Sequence, residues 1–250
     1  GFSFFTFRFD MTAAFELYVD FMSQPSRACA LMATLHPKLQ VEVKPIFIHK
    51  KQNRTPAFLA MNPMATVPTL YDKNTRKGQP ESCTIMRKLA RMHVVPAHWY
   101  RDPSVIERVD AALDWHHSAI RAGEARLVWH RALAPNMGAK TLPQVAEEAA
   151  LRLTRSLNEL ETYWLRDGHF VAGEQISIAD LIIACEIEQL CLLPEGEERT
   201  KFHDRPAYPK VNAFMKLVRE TVGAPWLEVT KHVHKVAAKQ AQARLAASKL

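Results

Sequence analysis

The sequence predicts a small α/β unit followed by an all-helical domain, and three observations carry that prediction. Strand-like and helix-like stretches alternate over residues 15–93. The stretch Val94 to Pro103 contains prolines, lacks helical periodicity and reads as a linker. Beyond it the strand signal vanishes and long helical patterns take over. Domains are therefore expected at 15–95 and 104–245, with a short tail at 246–250.

In the first unit, Phe15 to Phe21 alternates as a strand, with Phe15, Leu17, Val19 and Phe21 on one face. Gln24-Pro25-Ser26 opens a helix to about Leu35, with proline in its first turn. Val41 to Ile48 reads as a strand, Thr55 to Met61 as a short helix, and Thr66 to Tyr71 as a strand interrupted by Pro68. Lys73 to Gln79 is polar where a further strand is expected, which leaves that strand in doubt. Glu81 to His93 reads as a helix. In the second unit, helices are expected from a Ser104 cap to about Ala134, then over Leu142–Leu165, Ser177–Leu193, Pro209–Val222 and Trp226–Ala247. Ser177-Ile178-Ala179-Asp180 is a capping box, a structural signal, and the helix it opens is apolar nearly all round and so central.

The chain has 250 residues, 48% hydrophobic and 24% charged, which is ordinary for a globular protein. No apolar run is long enough to span a membrane. Cys29, Cys83, Cys185 and Cys191 form no C-x-x-C pair, so neither a disulfide framework nor a metal site is expected. The net charge of +7 suits an anionic small ligand. Lys231 to Lys249 is basic and acid-free, but it is alanine-rich without interleaved aromatics, so nucleic-acid binding is not expected. The chain starts at Gly1, and Met11 reads as the natural start. The final Ser248-Lys249-Leu250 is the peroxisomal address. One given tripeptide at one fixed place arises by chance on the order of once in several thousand. An import receptor is the partner it implies, with the cytoplasm as the alternative location.

Four local features converge on one ligand. Ser23 lies where a strand gives way to a helix, whose free amides and dipole stabilise an anion; taken alone, the segment reads first as a plain helix cap. Val67-Pro68 puts a proline in an apparent strand, either at an edge or with a cis peptide that turns the Val67 backbone outward to pair with a peptide ligand. Glu81 and Ser82 open a helix and suit a zwitterionic amino-acid head, or simply cap it. His49-Lys50-Lys51-Gln52-Asn53-Arg54 is either a carboxylate clamp or a solvated loop.

Taken in order, these pieces resemble the glutathione transferase superfamily, and its theta class in particular. The resemblance is carried by Glu16-Leu17-Tyr18-Val19-Asp20 with Ser23-Gln24-Pro25-Ser26-Arg27-Ala28, then Asn62-Pro63, Thr66-Val67-Pro68-Thr69-Leu70, Glu81-Ser82, Trp99-Tyr100 and Ile176-Ser177-Ile178-Ala179-Asp180. It runs from about Phe15 to Leu227. It implies a thioredoxin-like N-terminal domain, an all-helical C-terminal domain and a homodimer. It also implies glutathione as co-substrate, with no other cofactor. The second substrate would be a hydrophobic electrophile or an organic hydroperoxide.

By the same resemblance Ser23 bonds the glutathione sulfur, Val67 beside a cis Pro68 pairs with the cysteinyl backbone, and Glu81 and Ser82 hold the γ-glutamyl end. Asn53 and Arg54 match positions at the glycine end, and Arg121 matches an arginine near the sulfur. Asn53 departs from the usual histidine of the class. Thr66 stands where a longer polar residue is common, so one contact is in doubt. The alternative is a non-catalytic interaction module of the same fold. An omega-type thiol–disulfide enzyme would need a cysteine at position 23, and Cys29 reads instead as a small buried residue.

Overall fold

The computed structural model describes residues 13–247. The Ser248-Lys249-Leu250 address and the segment before Met11 lie outside the described residues. The N-terminal elements are β1 (Phe15–Val19), α1 (Gln24–Leu35), β2 (Val41–Pro45), α2 (Pro56–Met61), β3 (Thr69–Asp72), β4 (Lys77–Gln79) and α3 (Ser82–Ala90). They form one sheet in the order β2-β1-β3-β4. β2 runs parallel to β1, and β3 and β4 close the sheet antiparallel, with Leu17 opposite both Val43 and Leu70. The alternation read in Phe15, Leu17 and Val19 is the pattern of burial, because successive side chains of a strand point to opposite faces.

The doubtful fourth strand forms. Asp72 Oδ1 accepts from the backbone N–H groups of Asn74 and Thr75 and so turns the polar stretch into a hairpin. Gly78 fits there because a Cβ would lie 2.1 Å from the Met61 carbonyl oxygen. Pro68 is not inside a strand: β3 begins at Thr69, and the Val67-Pro68 bond before it is cis.

The second unit contains α4 (Ile106–Ser118), α5 (Ile120–Val128), α6 (Ala134–Asn136), α7 (Pro143–Glu159), α8 (Ile178–Glu188), α9 (Glu197–Arg199), α10 (Pro209–Val222) and α11 (Ala224–Ala247). The long helix expected from Ser104 is corrected. Ser104 donates its N–H and hydroxyl to Asp102 Oδ1, forming a turn, and the helix starts two residues later. It then breaks at Ala119, where φ −104° and ψ −90° leave the helical region. Gly123 lets α5 approach α7, since a Cβ there would come within 2.8 Å of the Leu153 nitrogen.

The capping box at Ser177 forms as read. Asp180 accepts from the Ser177 N–H and hydroxyl and also from the Val171 N–H. Burial pushes the Asp180 carboxyl up to about 6, against the pull of those hydrogen bonds. Every residue of α8 is buried. α1 packs between the sheet and this central helix, so α1 belongs to the cores of both units. The linker is anchored by buried Trp99 and Tyr100, whose hydroxyl donates to Asp110. No helix among the described residues is long and apolar enough to cross a membrane.

Candidate functional site

The sheet topology brings the candidate residues to one edge. β1 ends at Val19, and Ser23 follows its carboxyl end. β2 is parallel to β1, so the 46–54 loop leaves from the same end. β3 is antiparallel and pairs Thr69 with Tyr18, which sets Val67 and Pro68 beside that end too. β4 runs antiparallel to β3, so Glu81 and Ser82 return to it. Open α/β sheets bind ligands outside the carboxyl ends of such strands.

Ser23 is held by its backbone. Its N–H donates to the Asp20 carbonyl at 2.8 Å, and its own carbonyl accepts from the Arg27 N–H at 3.1 Å. Asp20 Oδ1 accepts from the Met22 N–H and Oδ2 from the Ile48 N–H, each at 2.9 Å, so one carboxylate ties the serine loop to the 46–54 loop. Ser23 stands at the N-cap position with extended backbone, but its hydroxyl makes no capping bond. The reading of a plain cap is thereby set aside. Half-buried Ser23 thus stands at a helix N-terminus its side chain does not cap, where free N–H groups and the dipole favour an anion.

Arg27 and Gln189 fix this loop, and the sequence reading missed their role. Arg27 has no exposed surface. Its guanidinium donates to the carbonyls of Phe21 and Cys185 and to Gln189 Oε1. Gln189 in turn donates to the Met22 carbonyl at 3.1 Å. The signal in the sequence was an arginine amid the apolar run of α1.

The Val67 N–H and carbonyl have no hydrogen-bond partner among the described residues, which leaves both free to pair with an added chain. Thr66 is exposed, yet its carbonyl and hydroxyl oxygens accept from Asn62 and its carbonyl also accepts from Thr69. Thr66 thus braces the turn into Val67. Glu81 is exposed and sits at φ 70°, ψ 105°. Such a backbone is sparsely populated by non-glycine residues and concentrates at ligand sites. Neither Glu81 nor Ser82 caps α3 with its side chain. Arg54 is exposed and Asn53 is buried. The Asn53 amide donates to the Ala65 carbonyl at 2.7 Å, while its buried Oδ1 has no partner.

Arg121 is half-buried and anchored on the central helix. Its guanidinium donates to buried Glu186 at 2.8 Å. Gln24, the neighbour of Ser23, donates to buried Glu124 at 2.7 Å. Glu124 and Glu186 each have one carboxylate oxygen without a donor. A proton held on Glu124 fills both. Burial and then the Glu186 charge push Glu124 well up. Burial opposes the Glu186 charge, but Arg121 and His116 outweigh it and hold that carboxyl down. His116 is raised to about 9 against the cost of its burial, by Cys83 and Glu186. Arg121 is therefore linked through buried Glu186 and Glu124 to Gln24, the residue after Ser23. Cys29 is fully buried, and burial raises its thiol well above the ordinary range, so it supplies no thiolate at neutral pH.

A cleft of about 620 Å³ opens beside the serine loop, lined by Met22 and His49 from the first unit and by α6 and α11 from the second.

Residues 111–221 match the family described as Glutathione S-transferase, C-terminal domain. The chain is 34% identical over 210 residues to bovine glutathione S-transferase theta-1, covering 83% of each chain. The chain belongs to the glutathione S-transferase family. Its relatives in that family of enzymes include theta-class members. It is 37% identical over 185 residues to Arabidopsis thaliana glutathione S-transferase T2, an alignment spanning 73% of this chain and 31% of that protein. The fold superposes on human glutathione transferase theta-2, solved as a complex with glutathione, with TM-score 0.79 and 28% identity over 91% of this chain and 90% of that one. The thioredoxin-like sheet unit and helical C-terminal unit of the glutathione S-transferase fold are thus both present.

Proposed function

We propose that this protein binds glutathione along the carboxyl edge of β1 and holds its sulfur as a thiolate through the Ser23 hydroxyl. The observation that carries the reading is that hydroxyl, left unused at the N-terminus of α1. A free thiol has a pKa of about 8.5, so only a few per cent is nucleophilic thiolate at neutral pH. Lowering it by two units needs about 2.7 kcal/mol. A hydrogen bond from Ser23 to the sulfur anion contributes about 1.5–3 kcal/mol, and the end of α1 about 0.3–1 kcal/mol. No general base is required.

The unpaired Val67 backbone would pair with the cysteinyl residue of glutathione. Glu81 would take its γ-glutamyl ammonium, and Ser82 with the α3 amides its carboxylate. Arg54, with Asn53 behind it, would hold the glycyl carboxylate, and Thr66 would hold the Val67 turn in place. Arg121 would act through Glu186, Glu124 and Gln24. The thiolate attacks an electrophilic carbon and expels its leaving group, or attacks the O–O bond of an organic hydroperoxide. In the second case the O–O bond breaks, the sulfur takes the terminal oxygen as a sulfenic acid and the alkoxide leaves as the alcohol on taking up a proton; a further glutathione then reduces the sulfenic acid, giving the disulfide and water.

Ser23→Ala tests the reading. Turnover should fall most of the way while glutathione still binds, and a wild-type kcat would refute the role. The resemblance also supports a homodimer, which the molar mass in solution by light scattering checks. Carried at a free C-terminus, Ser248-Lys249-Leu250 directs import into peroxisomes; a reporter fused upstream that stays in the cytoplasm would overturn this.

A further inference from the structure

Cys83 differs from the other three cysteines. Cys29, Cys185 and Cys191 are buried, and burial pushes their thiols up, to about 12 for Cys185 and Cys191. Cys83 is half-buried and holds the second position of α3, directly after Ser82. Glu81 does not cap that helix with its side chain, so the first N–H groups and the dipole favour negative charge there. Three cations lie within electrostatic reach of the Cys83 sulfur: His116, Arg87 and Arg121. Arg87 is held by Asp110 and Asp114. His116 and Arg121 share the single charge of Glu186, since Glu124 keeps its proton. That cluster therefore carries two positive charges against one negative. His116 is 1% exposed; its Nε2 bonds Glu186 at 3.1 Å, and its buried Nδ1 makes no hydrogen bond. The Cys83 thiol acts on the same ring. A thiolate sulfur would supply both the missing acceptor and the missing charge, and such a setting makes a cysteine nucleophilic.

We propose that Cys83 is a modification site that takes a glutathionyl group from glutathione disulfide. The Cys83 thiolate attacks one sulfur of that disulfide. A sulfur–sulfur bond forms between Cys83 and one glutathionyl half, and the original disulfide bond breaks. The other half leaves as its thiolate and takes up the proton that Cys83 gave to solvent. His116 holds the attacking sulfur as an anion. The adduct sits one residue from Ser82, so it crowds the γ-glutamyl position and lowers turnover until a free thiol removes it. That consequence rests on the glutathione reading of the site; the exchange at Cys83 does not.

The test incubates the full-length protein with glutathione disulfide at neutral pH and maps the product by mass spectrometry. One adduct should form, on Cys83, and dithiothreitol should remove it. Cys83→Ala should form none and keep the turnover of the unmodified protein. His116→Gln should form it at least about threefold more slowly, because a charge-assisted contact to the sulfur is lost. In the wild type, kcat/KM for glutathione should fall several-fold as the adduct accumulates and recover with dithiothreitol. No adduct on Cys83, or adducts shared among all four cysteines, would overturn the inference whatever the turnover. An unchanged rate in His116→Gln would remove the imidazolium from the exchange, and an adduct at unchanged kcat/KM would remove the block of the γ-glutamyl position. Absence of transferase turnover in the unmodified protein would instead sink the glutathione reading and leave the adduct measurement standing.

Discussion

The Arg27 guanidinium of α1 donates to Gln189 Oε1 at 2.7 Å, and Gln189 donates back to the carbonyl of Met22, the residue before Ser23. The pair joins the two units of the fold beneath the serine loop. The place of the Ser23 hydroxyl is therefore set by the helical unit as well as by the strand and helix it connects.

Arg27→Met should cost about 3 kcal/mol in urea unfolding. It leaves the carbonyls of Phe21 and Cys185 and the Gln189 oxygen buried without a donor, each a penalty of about 1–3 kcal/mol before relaxation. Gln189→Leu should cost less. A loss below about 0.5 kcal/mol for Arg27→Met would mean the clamp is idle.

In Ser23→Ala, the pKa of bound glutathione should return towards the free value of about 8.5. The ultraviolet absorbance of the thiolate, titrated against pH in the bound complex, reads this directly. A bound thiol that titrates alike in both proteins would remove the serine from the mechanism.

The buried carboxyls make opposite predictions for one kind of substitution. Glu124 holds a proton, so Glu124→Gln keeps a neutral group that donates to Glu186 and should cost under about 1 kcal/mol. Glu186→Gln removes the charge that Arg121 and His116 share, and should cost several times as much, on the order of 3 kcal/mol. Equal losses on chemical denaturation would contradict the assignment of the proton.

Acid stability should depend on Glu188. Burial opposes its charge, but His234 and Arg219 hold its carboxyl at about 2, below the ordinary 4.5. A depressed carboxyl stabilises the folded state above its unfolded pKa, and the contribution is lost as pH falls through the folded one. The window is therefore pH 4.5 down to about 2, and the contribution is about 3 kcal/mol. Glu188→Gln should flatten the unfolding free energy across that window; an unchanged acid limb would count against the pairing.

Ser177→Ala should lose about 1 kcal/mol, the usual value of a helix cap. Asp180→Ala should lose more, because the Val171 N–H is orphaned together with the Ser177 donors. Thermal melts of the two variants rank them.

Much of this protein was legible in its sequence, where the governing physics is local. Strand alternation, the proline opening α1 and the capping box at Ser177 each depend on neighbours a few residues away, and α1 and α10 run over the residues read for them. The ordered set of short segments also pointed to the family and to Ser23. The tertiary structure decided what depends on partners far along the chain. It freed the Ser23 hydroxyl from capping, since Asp20 and Arg27 hold the loop by its backbone. It turned Arg121 onto Glu186, a residue 65 positions away, and it gathered Met22, His49 and α11 around one cleft. Burial and long-range hydrogen bonds set those outcomes, and no window of sequence contains both partners of such a contact.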